Sequence, residues 1–237
     1  MFESSFAAHR LGLRWVLVKA PPPPRPNHLV VGTLAFVVLV VVFLLTQDRT
    51  IQAVADRASI DLAGQPVLGA TDAPVTVAVF EDFECPNCRR FDEKVVPRIK
   101  EKFVVTGKVR YASLNVPRPL GEDSYTAAVV AECVYDQDRA RFWSYKDTVY
   151  RRQKDEGSTC AVPSYLVELA EYAPGIDREA LRECIDTNAT RARVDADKQL
   201  GTRLGANATP TVFVNGEQVE ARRFGDFLEA IDDAVEQ

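Results

Sequence analysis

Two cysteines stand three positions apart in Cys85-Pro86-Asn87-Cys88, and their surroundings give one of them a reason to react. The apolar, strand-like run Val75-Thr76-Val77-Ala78-Val79-Phe80 stops at Glu81-Asp82-Phe83-Glu84, and a helical pattern opens at the cysteines. Cys85 therefore falls at the very start of a helix, with Cys88 one turn inside. Unpaired backbone N–H groups and the helix dipole favour an anion at that end, so a thiolate forms there more readily than on a free thiol. Pro86 suits the first turn, where a missing N–H costs nothing. Two thiols so placed can exchange with a disulfide, Cys85 bonding to the substrate sulfur and Cys88 resolving the mixed disulfide.

Cysteines at this spacing also build half of a structural zinc site, which needs a second Cys or His pair at close spacing. Here Cys133, Cys160 and Cys184 are singly spaced, and His9 and His28 lie in the N-terminal tail. That arithmetic points away from zinc, and no metal or cofactor is expected.

The elements around the cysteines begin far upstream. Leu29–Thr46 carries no charge and is almost wholly apolar. About 18 residues at about 1.5 Å each give about 27 Å, close to the thickness of a bilayer core. A buried core helix would show a polar face, and this run shows none. A cleaved signal peptide is the stronger rival, with Ala53-Val54-Ala55 as a small-residue cleavage site, but the apolar run exceeds the usual signal core. The expectation is a retained anchor over residues 29–46, preceded by a tail (1–28) and followed by a linker (47–64) and an outer domain (65–237). Pro21-Pro22-Pro23-Pro24-Arg25-Pro26 reads as a stiff spacer within the tail.

Arg10, Arg14, Lys19 and Arg25 precede the span against Glu3 alone, which places the N-terminus in the cytoplasm and the bulk of the chain outside. After the span stand 25 basic and 33 acidic residues. Such an acidic domain is a poor partner for nucleic acid or for anionic lipid.

Within the outer domain, Arg89–Val104 reads as a helix kinked at Pro97, and Lys108–Val116 as the next strand. From about 122 to about 205 no strand pattern occurs, and the periodicity gives about five helices. Asn215-Gly216 is a hairpin turn, pairing Thr211–Val214 with Gln218–Glu220, and Phe224–Val235 forms a closing helix.

Taken in order, Pro66-Val67-Leu68-Gly69, Asp72-Ala73-Pro74-Val75, the strand, and Asp82-Phe83-Glu84-Cys85-Pro86-Asn87-Cys88 resemble the DsbA-like branch of the thioredoxin superfamily. The resemblance implies an α/β thioredoxin-like fold with a helical insertion, here preceded by the single transmembrane helix. It also implies a cis proline beside the cysteines, a role that falls to Pro210, with the backbone of Thr209 open to an extended substrate. Read from the residues alone, Pro210 is equally an ordinary strand-start proline. Many relatives hold a buried carboxylate six residues before the first cysteine, where this chain has Val79. Of the nearby acids, Asp82 keeps the family's Asp-Phe position and is the candidate for proton handling; a solvated strand-end charge is the other reading.

An oxidising compartment should pair whichever further cysteines can meet. Cys133 with Cys184 is the preferred structural disulfide, ahead of Cys160 with Cys184, and Cys133 and Cys184 as small buried hydrophobes is the third reading. The function expected is a membrane-tethered thiol–disulfide oxidoreductase that oxidises cysteine pairs in exported proteins and is recharged by a membrane redox partner. A reductase or isomerase of the same fold is the alternative, because direction depends on redox potential. A non-catalytic module that holds unfolded chains or a metal has no need of a reactive dithiol.

The residues between the cysteines set an expectation for acidity. Asn87 offers a neutral amide where strongly oxidising relatives have histidine. Glu81, Asp82 and Glu84 oppose a thiolate on Cys85, while Arg89 and Arg90 favour it. With these terms partly cancelling, the helix terminus should leave Cys85 with a pKa between about 4.5 and about 7. Asn87→His should lower it further and make the disulfide more oxidising. Thiolate absorbance against pH, with redox equilibration against glutathione, checks this; no shift, or a shift toward a more reducing potential, rejects the electrostatic account.

Overall fold

The computed structural model describes residues 36–43, 60–117, 121–153, 161–221 and 223–237. The chain divides into two units, 1–47 and 48–237. In the first, α1 (residues 36–43) is a helix with exposed apolar side chains, among them Phe36 and Leu39. It covers only part of the expected span over residues 29–46, and the remainder lies outside the described residues, as do the tail and most of the linker. Among the described residues no helix is long and apolar enough to cross a membrane.

In the second unit a mixed sheet runs in the order β1-β3-β2-β4-β5. Its strands are β1 (Val67–Leu68), β2 (Val75–Glu81), β3 (Val109–Asn115), β4 (Thr211–Val214) and β5 (Glu217–Gln218). β2 and β3 are parallel, with Val79 opposite Ser113 and Glu81 opposite Asn115. β4 runs antiparallel to β2, which brings Thr211 beside Phe80 and the start of β4 to the cysteine end of β2. The hairpin turn forms at Asn215 and Gly216, both at positive φ, but β5 is Glu217–Gln218 rather than the expected Gln218–Glu220. A two-residue turn pairs Val214 directly with Glu217, so pairing starts one residue earlier.

Alternation along β2 builds two cores. Val75, Val77 and Val79 face one side, joined by Phe91, Val96 and Ile99; Ala78 and Phe80 face the other, with Ala112, Leu114 and Phe213. α2 (Pro86–Lys94) follows the cysteine turn, and after Val95 come α3 (Val96–Ile99) and a π-helical turn, Lys100–Val104. The expected continuous helix with one kink is thus three segments. Pro97 has no N–H to continue the ladder, which resumes with Ile99 N–H to the Val95 carbonyl at 3.0 Å, and a wider Val105 N–H to Lys100 carbonyl bond of 2.9 Å closes the π turn.

Between β3 and β4 the described residues hold α4 (Glu122–Gln137), α5 (Arg139–Arg152), α6 (Pro163–Leu169), α7 (Arg178–Asp186) and α8 (Arg191–Leu204); α9 (Phe224–Glu236) closes the chain. Asp138 caps α5 by accepting from the Ala140 and Arg141 N–H groups, and Asp177 caps α7 through Glu179 and Ala180. Gly201 lets α8 approach the sheet closely, since a Cβ there would lie 2.8 Å from Val116 Cγ2 and 3.2 Å from the Phe80 ring. Cys133 on α4 is bonded to Cys184 on α7, with their Cα atoms 6.1 Å apart. Cys160 lies outside the described residues.

Candidate active site

The turn between β2 and α2 is held by Asp82. One carboxylate oxygen accepts from the Glu84 N–H at 2.8 Å, the other from the Ser124 hydroxyl at 3.0 Å, and its backbone carbonyl accepts from the Cys85 N–H at 3.0 Å. At 2% exposure Asp82 is no solvated strand-end charge, and its side chain is engaged in shaping the loop and tying it to α4. Cys85 is the N-cap of α2 in extended backbone, and Pro86 occupies the first turn as expected for a position without an N–H partner.

The two sulfurs are driven apart in acidity. Cys85 is lowered to about 5, first by a hydrogen bond from the Cys88 thiol, then by the Thr209 side chain and the Cys88 and Asn87 N–H groups, against an opposing effect of burial. Cys88 is raised well above an ordinary thiol by burial, by its bond to Cys85, and by the charges of Cys85 and Glu81. The Asp82 N–H also meets Cys88 Sγ at 3.5 Å. The expected helix-terminus effect is present in the two N–H groups, but the resolving thiol contributes more. The arginines bond elsewhere, Arg89 to the Gln153 carbonyl at 2.8 Å and Arg90 to the Pro86 carbonyl at 3.4 Å. Asn87 is exposed.

For the reduced protein, a folded-state pKa below the unfolded thiol value means stabilisation that is full above the unfolded pKa and is lost as pH falls through about 5. At pH 7, midway between the two values, about half of that stabilisation is present. Because it belongs to the dithiol and not to the disulfide, it makes the disulfide the more oxidising partner.

Across the groove, the Thr209–Pro210 peptide is cis, and the Cys85 thiol reaches the Thr209 carbonyl at 3.2 Å. The structure therefore brings together Cys85, Cys88, Thr209 and Pro210 from sequence-distant elements, with Pro86, Asn87 and Asp82 in the same loop.

Behind Cys88 lies a charged cluster that sequence reasoning missed. Lys146, on α5 and wholly buried, pairs with Asp92 of α2 and, at 3.2 Å, with Glu81. Glu81 also accepts from the Ser113 hydroxyl and, at 3.0 Å, from the Tyr150 hydroxyl. Burial raises Glu81 above an ordinary carboxylic acid against the pull of Lys146; burial alone would lower Lys146, but Asp92 and Glu81 outweigh it and raise it. Among the carboxylates, it is the charge of Glu81 that acts on the resolving cysteine, while the Asp82 backbone N–H meets its sulfur. Phe83 stacks on Tyr150 at 5.2 Å, and the Gln153 amide donates to the Phe83 carbonyl at 2.7 Å, so α5 also braces the cysteine loop.

The thioredoxin family model matches residues 61–233. Disulfide bond formation protein D of Bacillus subtilis is 34% identical over 168 residues, 71% of this chain and 74% of that protein. Among solved structures, oxidised BdbD from Bacillus subtilis superposes with a TM-score of 0.71 at 31% identity, covering 75% of this chain and 96% of that one. DsbA from Chlamydia trachomatis gives 0.64 at 29% identity over 71% and 90% of the two chains.

Removing Lys146 alone should leave two buried carboxylates without their cation, so Lys146→Met should cost about 3–5 kcal/mol in denaturant unfolding. Adding Glu81→Gln and Asp92→Asn should recover most of that loss, since the neutral set needs no counter-charge. A Lys146→Met protein as stable as the parent would contradict the cluster's role.

Proposed function

Because the chain belongs to the DsbA-like branch of the thioredoxin superfamily, the thiol:disulfide oxidoreductases, we propose that it works as an oxidant of cysteine pairs in exported proteins, through a disulfide between Cys85 and Cys88. The observation that carries this reading is the placement of Cys85 at the N-cap of α2 with Cys88 fully buried one turn inside, which drives their acidities apart. A substrate thiolate attacks Cys85 Sγ, and the Cys85–Cys88 bond breaks toward Cys88. Burial and the charges of Cys85 and Glu81 favour the protonated form of Cys88, so the departing sulfur takes up a proton. The second substrate thiolate then attacks the substrate sulfur of the mixed disulfide and releases Cys85 as a stable thiolate. Two substrate thiols are oxidised and the protein pair is reduced. A low-pKa leaving group makes the last step fast.

Glu81 is the proton-handling carboxylate in this reading. Thr209 and Pro210 line the substrate side, where the Thr209 backbone can pair with an extended chain. The apolar run over residues 29–46, with basic residues before it, supports a single-pass anchor with an extracytoplasmic catalytic domain. A membrane redox partner would return the pair to the disulfide. Cys133–Cys184 serves as a structural disulfide bracing α7 on α4.

With a disulfide-bonded protein as substrate, reduced Cys88→Ser should accumulate a mixed disulfide through Cys85, the displaced substrate sulfur leaving as a thiol, visible as a mass adduct that reductant removes. Cys85→Ser should form none, and it should not oxidise a reduced dithiol protein. An adduct mapped to Cys88 of the Cys85→Ser protein, at the rate seen through Cys85, would sink the assignment of roles.

A further inference from the structure

The loop leading to Pro210 and one face of α8 frame a cleft of about 270 Å³ that starts at Thr209, the residue whose carbonyl meets Cys85. Val116, Pro117 and Ala206 give it apolar walls. Lys198 and Thr202, one turn apart on α8, present polar groups to it.

Lys198 differs in charge balance from Arg191, which shares the Tyr125 ring with it. Its ammonium donates to the Tyr125 hydroxyl at 3.0 Å and lies 4.7 Å from that ring's centre, but among the described residues it has no carboxylate partner. Arg191 sits over the other side of the balance: it lies 4.2 Å from the same ring yet is neutralised by Glu122 at 2.7 Å. Lys100, Lys102 and Lys146 likewise have acids, Asp147, Asp232 and Asp92. An ammonium carries three donors, and the Tyr125 bond uses one. A half-buried cation with donors to offer thus lines a cleft that reaches Thr209, whose carbonyl meets the reactive sulfur, in a domain where acids outnumber bases.

We propose that this cleft selects substrate segments bearing an Asp or Glu side chain beside the reacting cysteine, with Lys198 as the counter-charge. The inference rests on the reading of Cys85 as the substrate-facing sulfur and names the class of sequence it takes. The sign is informative. An acidic domain as a whole attracts basic peptides, so preference for an acidic one requires a local cation.

The test uses the full-length protein in its oxidised form and two dithiol peptides that differ only in flanking residues, Asp in one and Lys in the other. Second-order rates of peptide oxidation are read by acid quench and mass. The Asp peptide should react about fivefold faster, in the range of a partly exposed ion pair. Lys198→Gln should bring the ratio to one or below and Lys198→Glu should lower it further, while Lys108→Gln, at an exposed lysine just before β3, should keep it. Equal rates in the parent, or a ratio that survives Lys198→Gln, would overturn the selectivity and leave disulfide transfer standing. Failure to oxidise either peptide would overturn both.

Discussion

The opposition between a thiolate on Cys85 and a protonated Cys88 is the constraint on which the rest of the site depends. The surrounding structure supplies opposite environments for the two sulfurs a single helical turn apart. Cys85 caps α2, where the Asn87 and Cys88 N–H groups have no other intrahelical acceptor. Cys88 is sealed from water and faces the negative field of Glu81. A charge on the outer sulfur and a proton on the inner one then reinforce each other.

The fold serves this asymmetry at some cost to its own core. Glu81 occupies an inward position of β2 that Val75, Val77 and Val79 fill with apolar side chains, and Lys146 and Asp92 are buried to meet it. Removing charges from water is unfavourable unless they are paired and hydrogen-bonded, and here Ser113 and Tyr150 complete the shell. The helical insertion is accordingly more than a cover: α5 carries Lys146, Tyr150 and, at its C-cap, Gln153, which hold the inner side of the cysteine loop, while Ser124 of α4 holds Asp82. α8 approaches the opposite face through Gly201 and forms a wall of the cleft beside Thr209.

Much of this was legible in the residues because it is local. The strand before the cysteines, the helix after them, the Asn215-Gly216 turn and the helices between β3 and β4 follow from periodicity and turn chemistry over short windows. The meeting of Thr209 with Cys85 came from a resemblance, since nothing local reports a contact across 124 positions. Glu81 and Lys146 were missed although a signal existed. Alternation puts Glu81 on the inward side with Val77 and Val79, and Lys146 shares a helical face with Phe142, Val149 and Tyr150. Either alone reads as an exposed charge; only the pairing of α5 with β2 shows that each is the other's partner. Sequence proximity likewise did not reveal that Arg89 is bonded to the Gln153 carbonyl and Arg90 to the Pro86 carbonyl.

The share of the resolving thiol, beyond the helix end, in holding Cys85 as a thiolate is read by thiolate ultraviolet absorbance against pH in the reduced protein and in Cys88→Ala, with Cys133–Cys184 left oxidised. One transition near pH 5 is expected in the parent. In Cys88→Ala that transition should move upward by about one unit or more, while staying below the free-thiol value near 8.5 because the backbone N–H groups remain. A parent transition near the free-thiol value, or an unchanged midpoint in Cys88→Ala, would contradict this account of the Cys85 thiolate.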